Sequence, residues 1–120
     1  MIRTSKSENS LALLLTEMGI YFKRQYLIYG KYYDFYIPKY DLLIELDGDY
    51  WHGNRKMYKT LNFIQTKSSF NDRYKNWLAK VNKKKLLRIW ASELTNTNAV
   101  KFKIINEIKQ TLEKKCHKLN

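Results

Sequence analysis

The chain's apolar patterning predicts an α/β fold in the order helix, three strands, helix, strand, helix. Three observations carry this. Apolar residues recur at helical spacing near both ends and in the middle, three strand-like runs follow one another through very short links, and a fourth such run comes after the middle helix. The expected architecture is a mixed central sheet flanked by helices, with a further helix at the C-terminal end.

Ser5-Lys6-Ser7-Glu8 fits a capping box, with Ser5 as N-cap and Glu8 at the third helical position, and Gly19 supplies a stop. The first helix is thus expected over about Lys6 to Met18, with Leu11, Leu14, Leu15 and Met18 on its apolar face. Strands are expected over Tyr21 to Ile28, Tyr32 to Ile37 and Tyr40 to Asp47. The links "YGK" and "PKY" are too short for a parallel crossover, so the three should form an antiparallel meander. Gly48 to Gly53 reads as a loop, and Arg55 to Thr66 and Asn71 to Lys83 as two helices. Phe70, Tyr74, Trp77, Leu78 and Val81 make one apolar stripe on the second of these, which predicts that this stripe lies on the sheet. "LLRIWA", Leu86 to Ala91, is the fourth strand, and Val100, Ile104, Ile108 and Leu112 mark a final amphipathic helix. There is no internal repeat, Pro-rich linker or low-complexity segment.

A length of 120 residues with 44% hydrophobic and 15% aromatic content suits one folded domain, 1–120. The longest apolar run, Leu11 to Leu15, is far shorter than the roughly 20 residues that cross a bilayer. The first residues lack the apolar core and cleavage site of a secretory signal, so an intracellular address is expected. Cys116 is the sole cysteine, which excludes an intrachain disulfide and a Cys-rich zinc cluster.

Charge is unevenly distributed. The chain has 23 Lys and Arg against 11 Asp and Glu, and eleven of the cations fall between Arg55 and Arg88 with Asp72 as the one acid among them. Tyr58, Phe63, Phe70, Tyr74 and Trp77 interleave that tract. A solvated helix face would explain the cations alone. Cations alternating with rings suit a polyanion better, because the cations neutralise phosphates while the rings stack on bases.

The scarce acids gather just before the tract, five of them between Asp34 and Asp49. Side chains alternate along a strand, so in "IELDGDYWHG" Glu45 and Asp47 share one face while Ile44 and Leu46 take the other. A simple hairpin register brings Asp34 opposite this neighbourhood. Two or three carboxylates so placed repel one another unless a cation intervenes. Hard oxygen ligands with no thiolate and one nearby imidazole, His52, point to Mg²⁺ or Mn²⁺. Beside a basic surface, such an ion suggests phosphodiester hydrolysis, with His52 as general base. Taken singly the residues have plainer readings: Asp49 as a turn residue, Glu8 as a helix cap, and Asp72 as a solvent-facing group opposite the apolar stripe.

The set "DFYIP", "LLIELDGDYWH", "ND" and "LLRIWASE", after a helix carrying Glu8, resembles the very-short-patch-repair (Vsr)-like endonucleases of the PD-(D/E)XK superfamily, over about residues 5–95. Within it, the E, D, H, D signature of the homing-endonuclease branch is the nearest pattern. The resemblance implies a restriction-endonuclease-like αβββαβ core and a metal-dependent DNA endonuclease in a bacterial or phage-infected host. It implies that Glu8 matches the helix-one glutamate, Asp34 the metal-binding aspartate, His52 the general base and Asp72 the late acid supporting it. Glu45 or Asp47, and the Leu46 carbonyl, would complete the metal set, the choice between the two acids staying open. Tyr50 and Trp51 fall where repair members carry rings that wedge into DNA, with Arg55, Lys56, Lys59 and Arg73 as companion DNA contacts. The chain lacks the repair enzymes' zinc site and dense His cluster, and Asp47 stands at the lysine position of the superfamily's E-x-K. This favours a homing- or restriction-like member acting on double-stranded DNA, as a homodimer or by successive nicks where both strands are cut. The alternatives are a non-catalytic nucleic-acid-binding module and a mismatch- or junction-selective nuclease.

Overall fold

The computed structural model describes residues 5–49 and 62–119. Helix α1 (Lys6–Glu17) is followed by β1 (Lys23–Ile28), β2 (Lys31–Ile37), β3 (Leu42–Asp47), α2 (Phe63–Val81), β4 (Lys85–Trp90) and α3 (Thr97–Leu119). The strands lie in the order β1-β2-β3-β4. The first three pair antiparallel, and β4 joins β3 in parallel after the excursion through α2. The expected mixed sheet is present, with one layer of helix on each face.

Local chemistry fixes the boundaries. The Ser5 hydroxyl accepts from the Glu8 backbone N–H at 3.0 Å and starts α1. Gly19, at φ 72°, ends it: the Gly19 and Ile20 N–H groups close back onto the Thr16 and Leu15 carbonyls at 3.0 Å each. That pair of bonds is a Schellman stop, which needs a left-handed residue at its hinge. Only half of the expected capping box forms, because the Glu8 carboxylate is drawn away from its own helix end toward β1. Between β1 and β2 the two-residue turn Tyr29-Gly30 has positive φ at both positions, 41° and 81°, the twist that joins antiparallel strands. The second link, Pro38–Tyr40, winds into a single 3-10 turn ending at a left-handed Asp41, so β3 begins at Leu42 rather than Tyr40.

Two apolar layers hold the sheet. On one face Leu11, Leu14 and Leu15 of α1 and Val100 and Ile104 of α3 pack on Phe35, Ile37, Leu42, Ile44 and Ile89. On the other, Leu78 and Ala79 of α2 pack on Ile28, Tyr33, Tyr36 and Leu43. Burying each such large side chain stabilises by about 1.5–3 kcal/mol.

Helix α2 differs from expectation in extent and in orientation. It runs unbroken from Phe63 to Val81, started by Asn62, whose side chain and that of Gln65 cap each other's backbone N–H groups at 2.9 and 3.0 Å. The expected helix from Arg55 thus contributes only its last residues to α2, and its earlier part lies outside the described residues. Of the stripe expected to lie on the sheet, only Leu78 does so. Phe70, Tyr74, Trp77 and Val81 are between 44% and 61% exposed. The inward face is instead Gln65, Lys75, Leu78 and Ala79. The cause is the sheet beneath: toward its C-terminal end β3 presents Glu45 and Asp47 to α2, so the helix meets it with a polar face and keeps apolar contact near its own C-terminus.

A candidate active site between two parting strands

The β2–β3 ladder runs regularly from Ile37↔Leu42 to Phe35↔Ile44 and then stops. Side chains take over where the backbones part. The Asp34 N–H donates to Glu45 Oε1 at 2.8 Å, and the Leu46 N–H donates to Asp34 Oδ2 at 2.8 Å. A carboxylate from each strand thus satisfies a main-chain donor of the other, and Asp34 is fixed in the gap.

The neighbouring strand is distorted at the same level. Gln25, opposite Asp34 in the β1–β2 register, has φ 51° although it lies inside a strand. A non-glycine residue in that conformation costs on the order of 1–2 kcal/mol. The pleat breaks here, since Tyr33 packs toward α2 whereas Phe35 packs toward α1. In this setting the Gln25 amide reaches Glu8 Oε2 at 3.3 Å and Asp34 Oδ1 at 3.5 Å. Arg24 closes the outer side, 3.5 Å from Glu8 Oε2, with its guanidinium also bonded to Asn9. We expect Gln25→Gly to be more stable than Gln25→Ala by about 1 kcal/mol, measured by urea denaturation, because both lose the amide and only glycine relaxes the backbone.

Glu8 reaches the gap from the α1 layer and Glu45 from the α2 layer. Burial and the charge of Asp34 hold the Glu8 carboxyl above its usual range, against an opposing pull from Arg24. Burial and Asp34 likewise push Glu45 up to about 7, against the pull of Lys75. Lys75 is itself buried: its ammonium donates to Glu45 Oε2 and to the Tyr32 carbonyl, each at 2.6 Å, and lies 4.7 Å from the centre of the Tyr33 ring. The Tyr33 hydroxyl donates to the Lys75 carbonyl at 2.7 Å and is pushed up to about 12 by burial and by Glu45.

Asp47 shares the Glu45 face, as the alternation predicts, and Arg88 donates to both of its oxygens at 3.0 and 3.1 Å. Arg88 also lies 3.4 Å from Asp72 Oδ1 and donates to the Asp72 carbonyl and to Asn76. Asp72 therefore points inward, not to solvent. The inverted orientation of α2 brings it there. Asp49 accepts from the Ser92 N–H and hydroxyl at 3.0 and 2.7 Å, tying the end of the acidic stretch to the turn after β4. Arg73 is exposed, its guanidinium 4.6 Å from the centre of the Phe70 ring. Tyr50, Trp51, His52, Arg55, Lys56 and Lys59 lie outside the described residues.

Among the described residues no three carboxylate, imidazole or thiolate groups form a ready metal cluster. The donors that fit a hard divalent cation are Glu8 and Asp34. Each suffers the other's charge, and Asp34 Oδ1 faces Glu8 and the long Gln25 contact. Glu45 and Asp47 already rest on Lys75 and Arg88. Gln25, Lys75 and Arg88 were missed in the sequence. The last two were visible only as members of the basic tract, whereas Gln25 had a signal: the Tyr29-Gly30 turn sets a register that places 25 across from 34.

No protein-family model matches this chain, and no curated protein matches it. Among solved structures it is similar to the catalytic domain of the homing endonuclease I-Bth0305I, with a TM-score of 0.68 and 22% identity, over 90% of this chain and 98% of that one. At that identity the likeness is one of fold: the helix, four-stranded mixed sheet and flanking helices of this chain form an α/β architecture similar to that domain's.

Proposed function

We propose that the chain is a Mg²⁺- or Mn²⁺-dependent endonuclease that hydrolyses phosphodiester bonds in duplex DNA, in the manner of a homing or restriction enzyme. The observation that carries the reading is Asp34, pinned in the gap between β2 and β3 with Glu8 on one side and Glu45 on the other, in a fold shared with an endonuclease catalytic domain. Asp34 and Glu8 would hold the ion, with the Leu46 carbonyl beside them. When bound, such an ion polarises the scissile phosphate and lowers the pKa of the attacking water.

The protein's own groups supply the rest. Asp34 is oriented by the Leu46 N–H, and Glu8 by Gln25 and Arg24. Lys75 keeps Glu45 compensated, so that Glu45 can hold the Asp34 backbone in place. Arg88 does the same for Asp47 and adds positive charge near Asp72. His52 is the proposed acceptor of the water's proton, its ordinary pKa lying close to neutrality. The proposed substrate rests on the net charge of +12 and on the exposed rings and cations of α2. One site cuts one strand, so a double-strand break requires a homodimer or two successive nicks.

Supercoiled plasmid tests the proposal. With Mg²⁺ or Mn²⁺ it should be converted to open circles, and with EDTA it should not. A chain that binds DNA but converts none with either ion would instead be a non-catalytic binding module. The pairing of Glu45 and Asp47 with cations is what keeps that second reading in view, and calorimetric titration with Mg²⁺ separates the two.

A further inference from the structure

We propose that the groove along the outer edge of β4, between α2 and α3, is a further nucleic-acid contact that seats the phosphodiester backbone of a strand away from the carboxylates. β4 is an edge strand, and among the described residues no strand pairs with its outer side, which faces the space between the two helices. The cavity there has a volume of about 810 Å³ and is lined by Lys80, Lys83, Lys84, Lys85, Lys114 and Lys115, with Asp41 as the one acidic residue on its wall. Two of these lysines are spoken for, Lys84 by Asp41 at 2.9 Å and Lys85 by Glu107 at 3.0 Å. Lys115 acts on Asp41 at longer range, and Lys80, Lys83 and Lys114 have no ion pair among the described residues. Three uncompensated ammonium groups around one groove make a field that a polyanion fills.

A second observation concerns Lys83 itself. It occupies the left-handed hinge at the end of α2, with φ 58°, and the Lys83 and Lys84 N–H groups close onto the Lys80 and Ala79 carbonyls at 3.0 Å each. This is the same Schellman stop that ends α1, where the hinge is Gly19. Helix ends favour glycine at this position, because a side chain there costs on the order of 1–2 kcal/mol. At the α2 hinge a lysine stands against the preference of the backbone, and it is one of the residues that line the groove.

The lining favours a phosphate chain over an acidic protein strand. A peptide laid on an edge strand gains specificity from pockets for alternate side chains, and here the only apolar residues on the wall are Tyr40, Ala79 and Leu86, set among the lysines. The groove is also continuous with Arg88, which lines it and holds Asp47 and Asp72 at the other end. From Arg88 to Lys85 is three residues of strand, roughly 10 Å. Arg88 stands level with Glu45 in the β3–β4 register, so the inner end of the groove lies at the level of the gap between β2 and β3. This goes beyond the nuclease reading, since a basic groove holds a backbone whether or not the chain cuts it.

The test is binding of a short fluorescein-labelled duplex of random sequence, followed by anisotropy in EDTA over a series of salt concentrations, so that cleavage does not enter. Lys83→Gly should weaken binding severalfold at low salt and lower the slope of log K against log salt by about one. The same substitution should raise the melting temperature, because glycine suits the hinge. A loss of binding in a more stable protein cannot be a folding defect. Lys80→Ser with Lys114→Ser should lower the slope by about two. Wild-type affinity and slope in both variants would overturn the proposal. So would variants that lose binding to poly-glutamate while keeping the wild-type slope on the duplex, which would make the groove a site for an acidic protein. A chain that fails to nick plasmid but shows the predicted slope changes loses the nuclease reading and keeps the groove.

Discussion

Asp34→Asn is expected to slow plasmid nicking in Mg²⁺ by a factor on the order of 10² to 10³, the range found when one preorganised electrostatic group is removed from an active site. The substitution is chosen for what it preserves. An amide oxygen can still accept from the Leu46 N–H, and the backbone N–H of residue 34 can still donate to Glu45, so the gap between the strands keeps its shape. What is lost is the charge that faces Glu8. Calorimetric titration with Mg²⁺ should lose its heat in the same variant, and circular dichroism should not change. His52→Ala is expected to slow nicking by about 10² to 10⁴, the usual contribution of a positioned general base, and to flatten the rise of rate with pH near neutrality. Nicking at wild-type rate in Asp34→Asn would remove that carboxylate from the mechanism whatever His52 does.

Lys75→Met lowers the stability of the fold by about 3–5 kcal/mol in urea denaturation, the cost of leaving one charge of a buried pair uncompensated. Methionine fills much of the lysine's volume and keeps the helix, so the loss is assigned to Glu45, which remains buried with one oxygen on the Asp34 N–H and nothing on the other. Adding Glu45→Gln should recover a good part of the loss, since the amide oxygen can still accept from Asp34 and no charge remains. The loss should also depend on pH. Glu45 in the folded chain, at about 7, lies above its ordinary value of 4.5. The folded state therefore holds this proton more tightly than the unfolded one. Stability from this group is complete below the lower value and is lost as pH rises through about 7. Removing Lys75 raises the folded value further, so Lys75→Met should be more damaging at pH 8 than at pH 5.5. A loss of the same size at both would show that packing, not charge, is what Lys75 supplies.

The sequence was most legible where local chemistry decides. Ser5 and Gly19 mark the ends of α1, Tyr29 and Gly30 mark the hairpin, and the alternation through Ile44, Glu45, Leu46 and Asp47 assigns each side chain to its face. The orientation of α2 was not legible in the same way. Phe70, Tyr74, Trp77 and Val81 form an apolar stripe by spacing, and such a stripe ordinarily faces the core. Which face turns inward depends on what the sheet presents, and here β3 presents carboxylates, so Lys75 and Asp72 turn in and the rings turn out. The inward-facing Asp72 and the buried Lys75 follow from that one inversion. The departure of Glu8 from its capping role has a similar origin: Arg24 and Gln25 are distant in sequence and offer its carboxylate more than its own helix end does.

The outward rings of α2 also bear on how the molecule behaves in solution. Phe63, Phe70, Tyr74, Trp77 and Val81 follow one another along a single exposed helix face, and such a face on two molecules could meet. Self-repulsion from a net charge of +12 keeps them apart in dilute buffer. Salt shortens the reach of that repulsion to a few ångströms while leaving apolar attraction intact. Colloidal stability is thus lent by charge and withdrawn by ionic strength, so high-salt conditions that would strip a polyanion from so basic a surface are the ones that would bring its aromatic faces together.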